Sequence, residues 1–228
     1  MGWSILEIKV LKDYKELSYT VADIVEYQLQ EQPLSRLILP TGSTPLGLYK
    51  ELVNRELDWS AVMTYNLDVY IMNPDHPQSY QTFMKENLFN KINIYPSNCQ
   101  FPDRNVQLYE ERLKGIPVDL CILGIGSNGH IAFNEPGSSF DSRTRVVDLD
   151  KQTIQDNSRF FDSVDDVPKQ AITMGLGTIM DSKKIVLMAN GEHKLNILNV
   201  AMNGEVTEDI PASILQNHDN VKVFYCDW

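Results

Sequence analysis

Three short segments carry residue types able to move protons or hold an anion. The richest is Gly124-Ile-Gly-Ser-Asn-Gly-His-Ile-Ala-Phe-Asn-Glu-Pro136. Its histidine, His130, can shuttle protons near neutral pH. Glu135 is close enough in sequence to orient that imidazole or couple to its charge. Gly124, Gly126 and Gly129 let the backbone turn sharply and hold His130 over a sheet edge. The same glycines form a G-x-G-x-x-G pattern with Asp148 and Asp150 further on, which would suit a dinucleotide. That reading fails where a helix should open, because Pro136 and Gly137 punctuate the segment. His130, Asn134 and Glu135 also stand where a dinucleotide site wants a plain helix start. A lone loop histidine is commonly structural or merely exposed, so the segment needs partners.

Two other segments supply them. Asp68, in Tyr65-Asn-Leu-Asp-Val-Tyr70, follows an apolar run directly. A carboxylate half-sheltered in such a loop can act as a general base, although a turn aspartate is the plainer alternative. In Pro40-Thr-Gly-Ser-Thr-Pro45, Gly42 permits an unusual backbone angle, and Ser43 and Thr44 sit beside a helix start. That combination suits a phosphate. It lacks the lysine and spacing of a nucleoside-triphosphate loop, and a helix cap with no ligand reads equally well from these residues.

The elements that must position these segments alternate in character. Strands are expected at Ile5 to Val10, Arg36 to Leu39, Ala61 to Asn66, Val118 to Ile125, Ile185 to Ala189 and Val221 to Cys226. Asp13 is expected to cap a helix from Tyr14 to about Gln30, with Leu17, Val21, Ile24 and Val25 on one face. Further helices are expected from Pro45 to about Arg55, Ser79 to about Asn90, Tyr109 to Lys114, and Glu192 to about Met202. The alternation implies one α/β domain over residues 1–228, with an open, doubly wound, mostly parallel sheet and helices on both faces. Sites in such sheets gather at loops leaving the carboxyl ends of the strands.

Composition narrows the functional class. The 228 residues are 43% apolar, enough for a sizeable core. A net charge of −11 makes the chain a poor general binder of nucleic acid or anionic membrane, so positive charge for an anionic ligand must be local. Cys99, Cys121 and Cys226 give neither a disulfide framework nor a zinc spacing. No signal peptide or bilayer-length apolar run is visible. A cytoplasmic location follows as an expectation; monomer or homo-oligomer is left undecided.

The glycine-rich segment resembles the signature of the glucosamine-6-phosphate deaminases. Leu39-Pro-Thr-Gly-Ser-Thr-Pro45, Asn66-Leu-Asp68 with Tyr70, His76-Pro with Ser79-Tyr80, and Ser142-Arg-Thr-Arg145 are similar to further family motifs. So are Asn157-Ser-Arg-Phe-Phe161, Val167-Pro-Lys-Gln-Ala-Ile-Thr-Met-Gly175 and Gly191 to Lys194. They keep their order from about residue 37 to residue 226. The resemblance implies catalysis without a metal or organic cofactor. It implies that Asp68 moves a proton between C2 and C1, that His130 helps open the sugar ring, and that Glu135 assists it. Asn128 stands where some members carry an acid and others an asparagine. For substrate phosphate it implies Gly42, Ser43, Thr44, Arg159 and Lys194.

Three departures stand out. Val69 replaces a usual glutamate, Tyr70 to His76 is one residue short of the usual stretch, and Val147 replaces a basic residue of the allosteric site of long hexameric members. The first two bear on sugar specificity; the third, with the chain's early end, speaks against allosteric activation. The expected reaction is conversion of a hexosamine phosphate, first glucosamine 6-phosphate, to fructose 6-phosphate and ammonia. The alternatives are a galactosamine-6-phosphate isomerase, a 6-phosphogluconolactonase-like hydrolase and a non-catalytic sugar-phosphate sensor.

Overall fold

The computed structural model describes residues 6–227. Its first strand is β1 (Ile8–Val10), so Ile5, placed in that strand by the sequence, lies outside the described residues. Helix α1 (Tyr14–Glu31) starts where Asp13 accepts the Glu16 amide at 2.8 Å, while Glu16 accepts the Lys12 amide at 2.7 Å. This reciprocal arrangement satisfies amides that a helix start leaves free. Strand β2 (Arg36–Leu39) stops at Pro40, as expected, and α2 (Leu46–Asn54) follows. Strand β3 (Met63–Asn66) begins two residues after Ala61.

Strand β4 (Asp68–Tyr70) then departs into a second sheet after a break of one residue, Leu67. Helix α3 (Tyr80–Asn87) is capped by Ser79, and its expected last turn is instead a separate 3-10 turn at Phe89–Lys91. After β5 (Cys99–Gln100), α4 (Val106–Leu113) begins three residues before Tyr109, because Asn105 caps the Leu108 amide at 3.2 Å. Strand β6 (Leu120–Leu123) precedes the glycine-rich segment. The remaining elements are β7 (Arg145–Asp148), α5 (Lys151–Asn157), β8 (Gln170–Thr173), α6 (Leu176–Met180), β9 (Ile185–Asn190), α7 (Leu195–Asn203) and β10 (Val221–Cys226).

The main sheet has seven strands in the order β1-β10-β9-β6-β2-β3-β5, all parallel. Side chains alternate across a strand, and the two faces hold separate cores. Leu37, Leu39, Leu120 and Ile122 pack with α1 and α2 residues such as Val21 and Leu52. Ile38, Cys121 and Leu123 face the other way, toward Ile179 of α6 and Leu198 of α7. Burial on both faces explains why β2 and β6 read as unbroken apolar or fully buried runs. The observed fold is therefore the α/β sheet expected, with helices on both faces.

The second sheet was not legible in advance. It is antiparallel, in the order β4-β8-β7, with Asp68 opposite Thr173 and Arg145 also opposite Thr173. The chain crosses between sheets at Leu67, whose amide reaches Leu39 of the main sheet and whose carbonyl accepts the Met174 amide at 2.7 Å. A third, smaller core lies here, built from Tyr70, Phe133, Leu149 and Ala171.

The strand order places a switch point in the main sheet. From β2 the chain goes on to β3 on one side, whereas from β6 it reaches its other neighbour, β9, on the opposite side. The loops leaving β2 and β6 thus diverge, and a crevice opens outside their carboxyl ends.

Candidate active site

That crevice is a cleft of about 690 Å³. Its wall includes Gly42, Ser43, Thr44, Asp68, His130, Arg159 and Lys194, so seven of the nine site residues expected from sequence line one space. The other two, Asn128 and Glu135, are not on the wall but support His130 from behind.

The glycine-rich segment folds around His130. The Gly126 amide donates to the His130 carbonyl at 2.9 Å, and Gly129 takes a positive φ of 86°. A methyl group on Gly126 would lie 2.3 Å from the His130 ring. That position must be glycine if the imidazole is to lie flat against the turn. Ala132, also on the cleft wall, sits at φ 51°, an uncommon conformation for a residue with a Cβ. His130 Nδ1 is 3.3 Å from Glu135 Oε2, close enough for an ion pair when the ring is charged. Asn128 Nδ2 donates to the same oxygen at 2.7 Å, and Asn128 Oδ1 accepts the His130 amide at 3.2 Å. Asn128 thus bridges both partners. Thr153 of α5 donates to Glu135 Oε1. Burial alone would raise the Glu135 carboxyl; His130, Thr153 and Asn128 outweigh it and hold the group down at about 2.

Asp68 sits in the opposite electrostatic setting. It was expected half-sheltered in a loop, but the structure makes it the first residue of β4 and leaves it 7% exposed. Its antiparallel pairing with Thr173 draws it into the interior. Burial pushes its carboxyl up to about 7. No basic side chain offsets that desolvation, because the neighbours that feel its charge include the buried phenols of Tyr49, Tyr70, Tyr80 and Tyr109. A carboxyl poised near neutrality and facing a cleft has the properties of a general base.

The other end of the cleft is cationic. Arg159 stacks its guanidinium 4.7 Å over the Phe160 ring, and Lys194 follows the Gly191 turn, where φ is 100°. Neither forms an ion pair within 4 Å among the described residues. Burial lowers the Lys194 ammonium from its usual range, Asp156 raises it, and Arg159 lowers it further. The Pro40–Pro45 loop stands alongside with Gly42 at φ 94°. Pro45 occupies the cap position of α2 with no side-chain cap, and the Gly47 amide is taken by the Tyr14 hydroxyl at 2.7 Å. Thr44 donates its hydroxyl proton to Asn190 at 2.9 Å. The hydroxyl of Ser43 makes no hydrogen bond among the described residues. Ser43 and the two cations are therefore the donors most free to meet an anion.

Several wall residues escaped residue-by-residue reading. Tyr80 lines the cleft and stacks on Phe133 at 6.1 Å; in the sequence it stands out only as part of the Ser79-Tyr80 motif. Asn190 and Thr153 carried no local signal, since each acts through a residue distant in sequence. Val69, by contrast, does not line this cleft. Strand alternation turns it toward a separate cavity of about 300 Å³ shared with Met72 and Arg104. The shortened Tyr70 to His76 stretch borders that same cavity, and Tyr80 lines both the cavity and the cleft. Among the described residues there is no cluster of three or more His, Cys, Asp or Glu able to hold a metal, and no helix is long and apolar enough to cross a membrane.

Known proteins resemble this chain closely in sequence and fold. A glucosamine-6-phosphate deaminase from Clostridium novyi is 47% identical over 229 residues, covering 95% of each chain. A solved monomeric glucosamine-6-phosphate deaminase superposes with a TM-score of 0.94 at 39% identity, covering 97% of both chains. A 6-phosphogluconolactonase from Shewanella baltica shares the fold, with a TM-score of 0.77 at 23% identity over 99% of this chain and 100% of that one. The model of the glucosamine-6-phosphate isomerases/6-phosphogluconolactonases matches residues 13–224, and the chain belongs to that family.

Proposed function

We propose that this protein converts glucosamine 6-phosphate to fructose 6-phosphate and ammonia. One observation carries the reading: a buried carboxyl poised near neutrality, a histidine backed by an ionised glutamate, and two cations without ion-pair partners share a single cleft. The close deaminase relatives support the same choice of substrate.

In this reading the phosphate binds Ser43, Arg159 and Lys194, with Thr44 and the Gly42 turn shaping the floor. Phosphate does no chemistry. Its binding energy fixes C1 and C2 of the sugar against Asp68. His130 delivers a proton to the ring oxygen, the C1–O5 bond breaks, and the C1 hydroxyl returns a proton to His130 as the pyranose opens to the free aldehyde. Glu135 and Asn128 hold the imidazole in place and stabilise its charge. Asp68 then removes the C2 proton; the electron pair left behind forms the C1=C2 bond while the carbonyl oxygen takes a proton back from His130, giving an enolamine. Returned to C1, that proton leaves an iminium at C2. Water adds there, the C–N bond breaks, and ammonia departs from the ketose phosphate. The substrate is a sugar phosphate acted on in solution, with no nucleic-acid or membrane partner and a cytoplasmic location.

The direct test offers purified protein glucosamine 6-phosphate, galactosamine 6-phosphate and 6-phosphogluconolactone in separate reactions. Ammonia release fastest with the first is expected. Lactone hydrolysis without ammonia release would overturn the assignment, and preference for the galacto sugar would correct its specificity.

A further inference from the structure

Glu135 is held at both carboxylate oxygens, and the two holders come from different parts of the chain. Oε2 receives Asn128, from the same glycine-rich segment, at 2.7 Å and lies 3.3 Å from His130. Oε1 receives the hydroxyl of Thr153, eighteen residues away on α5. Thr153 is itself 3% exposed and is the buried residue of that helix. Helix α5 is short, is capped by Asp150, and runs directly into the turn carrying Arg159. It meets the glycine-rich segment a second time through Ser127, whose hydroxyl reaches Asp156 at 3.3 Å.

We infer that Thr153 is a positioning residue of the acid–base site: its hydroxyl fixes the rotation of the Glu135 carboxylate, and so the placement of His130. The geometry supplies the reason. Asn128 alone would leave the carboxylate free to turn about one hydrogen bond. His130 Nδ1 lies 3.3 Å from Oε2 without a well-aligned hydrogen bond, so that contact couples the imidazole to the carboxylate but does not fix the carboxylate's rotation. A second donor on the other oxygen removes the freedom. The ordering also links the two ends of the cleft, because α5 bears Thr153 at one point and leads to Arg159 at the next turn.

Thr153→Val keeps the shape and removes only the hydroxyl; Thr153→Ser restores it. For its kinetic arm the inference rests on the deaminase reading. There, kcat for ammonia release is expected to fall about ten- to a hundredfold in Thr153→Val, as for a lost hydrogen bond to a charged group, with KM nearly unchanged and kcat largely recovered in Thr153→Ser. The second arm needs no turnover. The His130 Cε1 proton resonance, assigned by its loss in His130→Gln, should shift at fixed pH in folded Thr153→Val and return toward the wild-type position in Thr153→Ser. A wild-type protein that releases no ammonia defeats the deaminase reading but leaves this arm to decide the role of Thr153. An unmoved His130 resonance in Thr153→Val would overturn the inference. So would a kcat loss that Thr153→Ser fails to recover while both variants melt at the wild-type temperature.

Discussion

Asp68→Asn should abolish turnover and yet stabilise the protein, and the gain should depend on pH. The amide keeps the shape of the carboxylate but cannot accept the C2 proton. A loss of about a hundred- to ten-thousandfold in rate is the usual cost of removing a general base. The stability effect follows from burial. The carboxyl is pushed from 3.8 to about 7 in the fold. A folded pKa above the unfolded one contributes stability that is full below about pH 4 and lost as pH rises toward 7. At pH 8 the wild type folds around a buried anion. The shift corresponds to an upper bound of about 4 kcal/mol, at roughly 1.4 kcal/mol per pH unit. The neutral variant avoids that cost, offset by whatever its amide loses through imperfect hydrogen bonding.

Thermal melts at several pH values measure the difference. For a chain of this size about 1 kcal/mol moves Tm by roughly 2–4 °C, so a rise of several degrees at pH 8 is expected. The advantage should shrink steadily between pH 7 and 4. An advantage equal at pH 4.5 and pH 8, or a variant less stable at pH 8, would refute the claim that Asp68 is a desolvated carboxyl. Isotope exchange tests the chemistry separately. In heavy water the wild type should exchange the C2 hydrogen or place deuterium at C1 of the ketose, and Asp68→Asn should do neither.

Other perturbations address the remaining residues. Lys194→Ala and Arg159→Ala should each weaken a phosphorylated sugar by about 1.5–3 kcal/mol, seen as a raised KM; equal losses for an unphosphorylated sugar would contradict the assignment. Gly126→Ala should cut kcat sharply while the fold persists, because its methyl would meet the His130 ring at 2.3 Å; near-normal kcat would show that the ring is not held there. Glu135→Gln should lower stability at neutral pH, and the deficit should close as pH falls from the usual carboxylate range toward 2, since a depressed folded pKa gives stability that acid removes; urea titrations at pH 7 and 3 measure it. Activity should survive treatment with a divalent-metal chelator.

The central strands of the main sheet were legible because they are buried on both faces; the short, half-exposed edge strand β5 was not. Arg36 to Leu39 and Val221 to Cys226 could be bounded from apolar content and a flanking proline or loop, and they match the observed strands. The three-stranded sheet was hidden for the opposite reason. Its members, Asp-Val-Tyr, Arg-Val-Val-Asp and Gln-Ala-Ile-Thr, are short and mixed in polarity, and β4 follows β3 after one residue. Their pairing is non-local, with Val69 set against Ile172, and no local pattern reports such a partner. That omission misplaced Asp68 as well. A residue read as a loop carboxylate proved to be the buried start of a strand, and its burial is what gives it a base's pKa. The family resemblance named Asp68 as a candidate base without supplying that burial.

Asp68 on the cleft wall and Glu135 behind His130 show why residue type alone could not divide the work between them. Glu135 and Asp68 are both partly or wholly withdrawn from water, so burial alone raises each. Glu135 meets His130, Asn128 and Thr153, three groups that favour its charged form, and falls to about 2. Asp68 is buried near phenols, with no such donor to offset its burial, and rises to about 7. Groups driven apart in this way can take different roles at one pH: in the proposed mechanism the first stays an anion and holds the imidazole in place, while the second gains and loses a proton on each turnover. Exchanging the environments would exchange the roles. A base must be able to release what it takes, and among the described residues lining this cleft Asp68 is the carboxyl without a donor of its own.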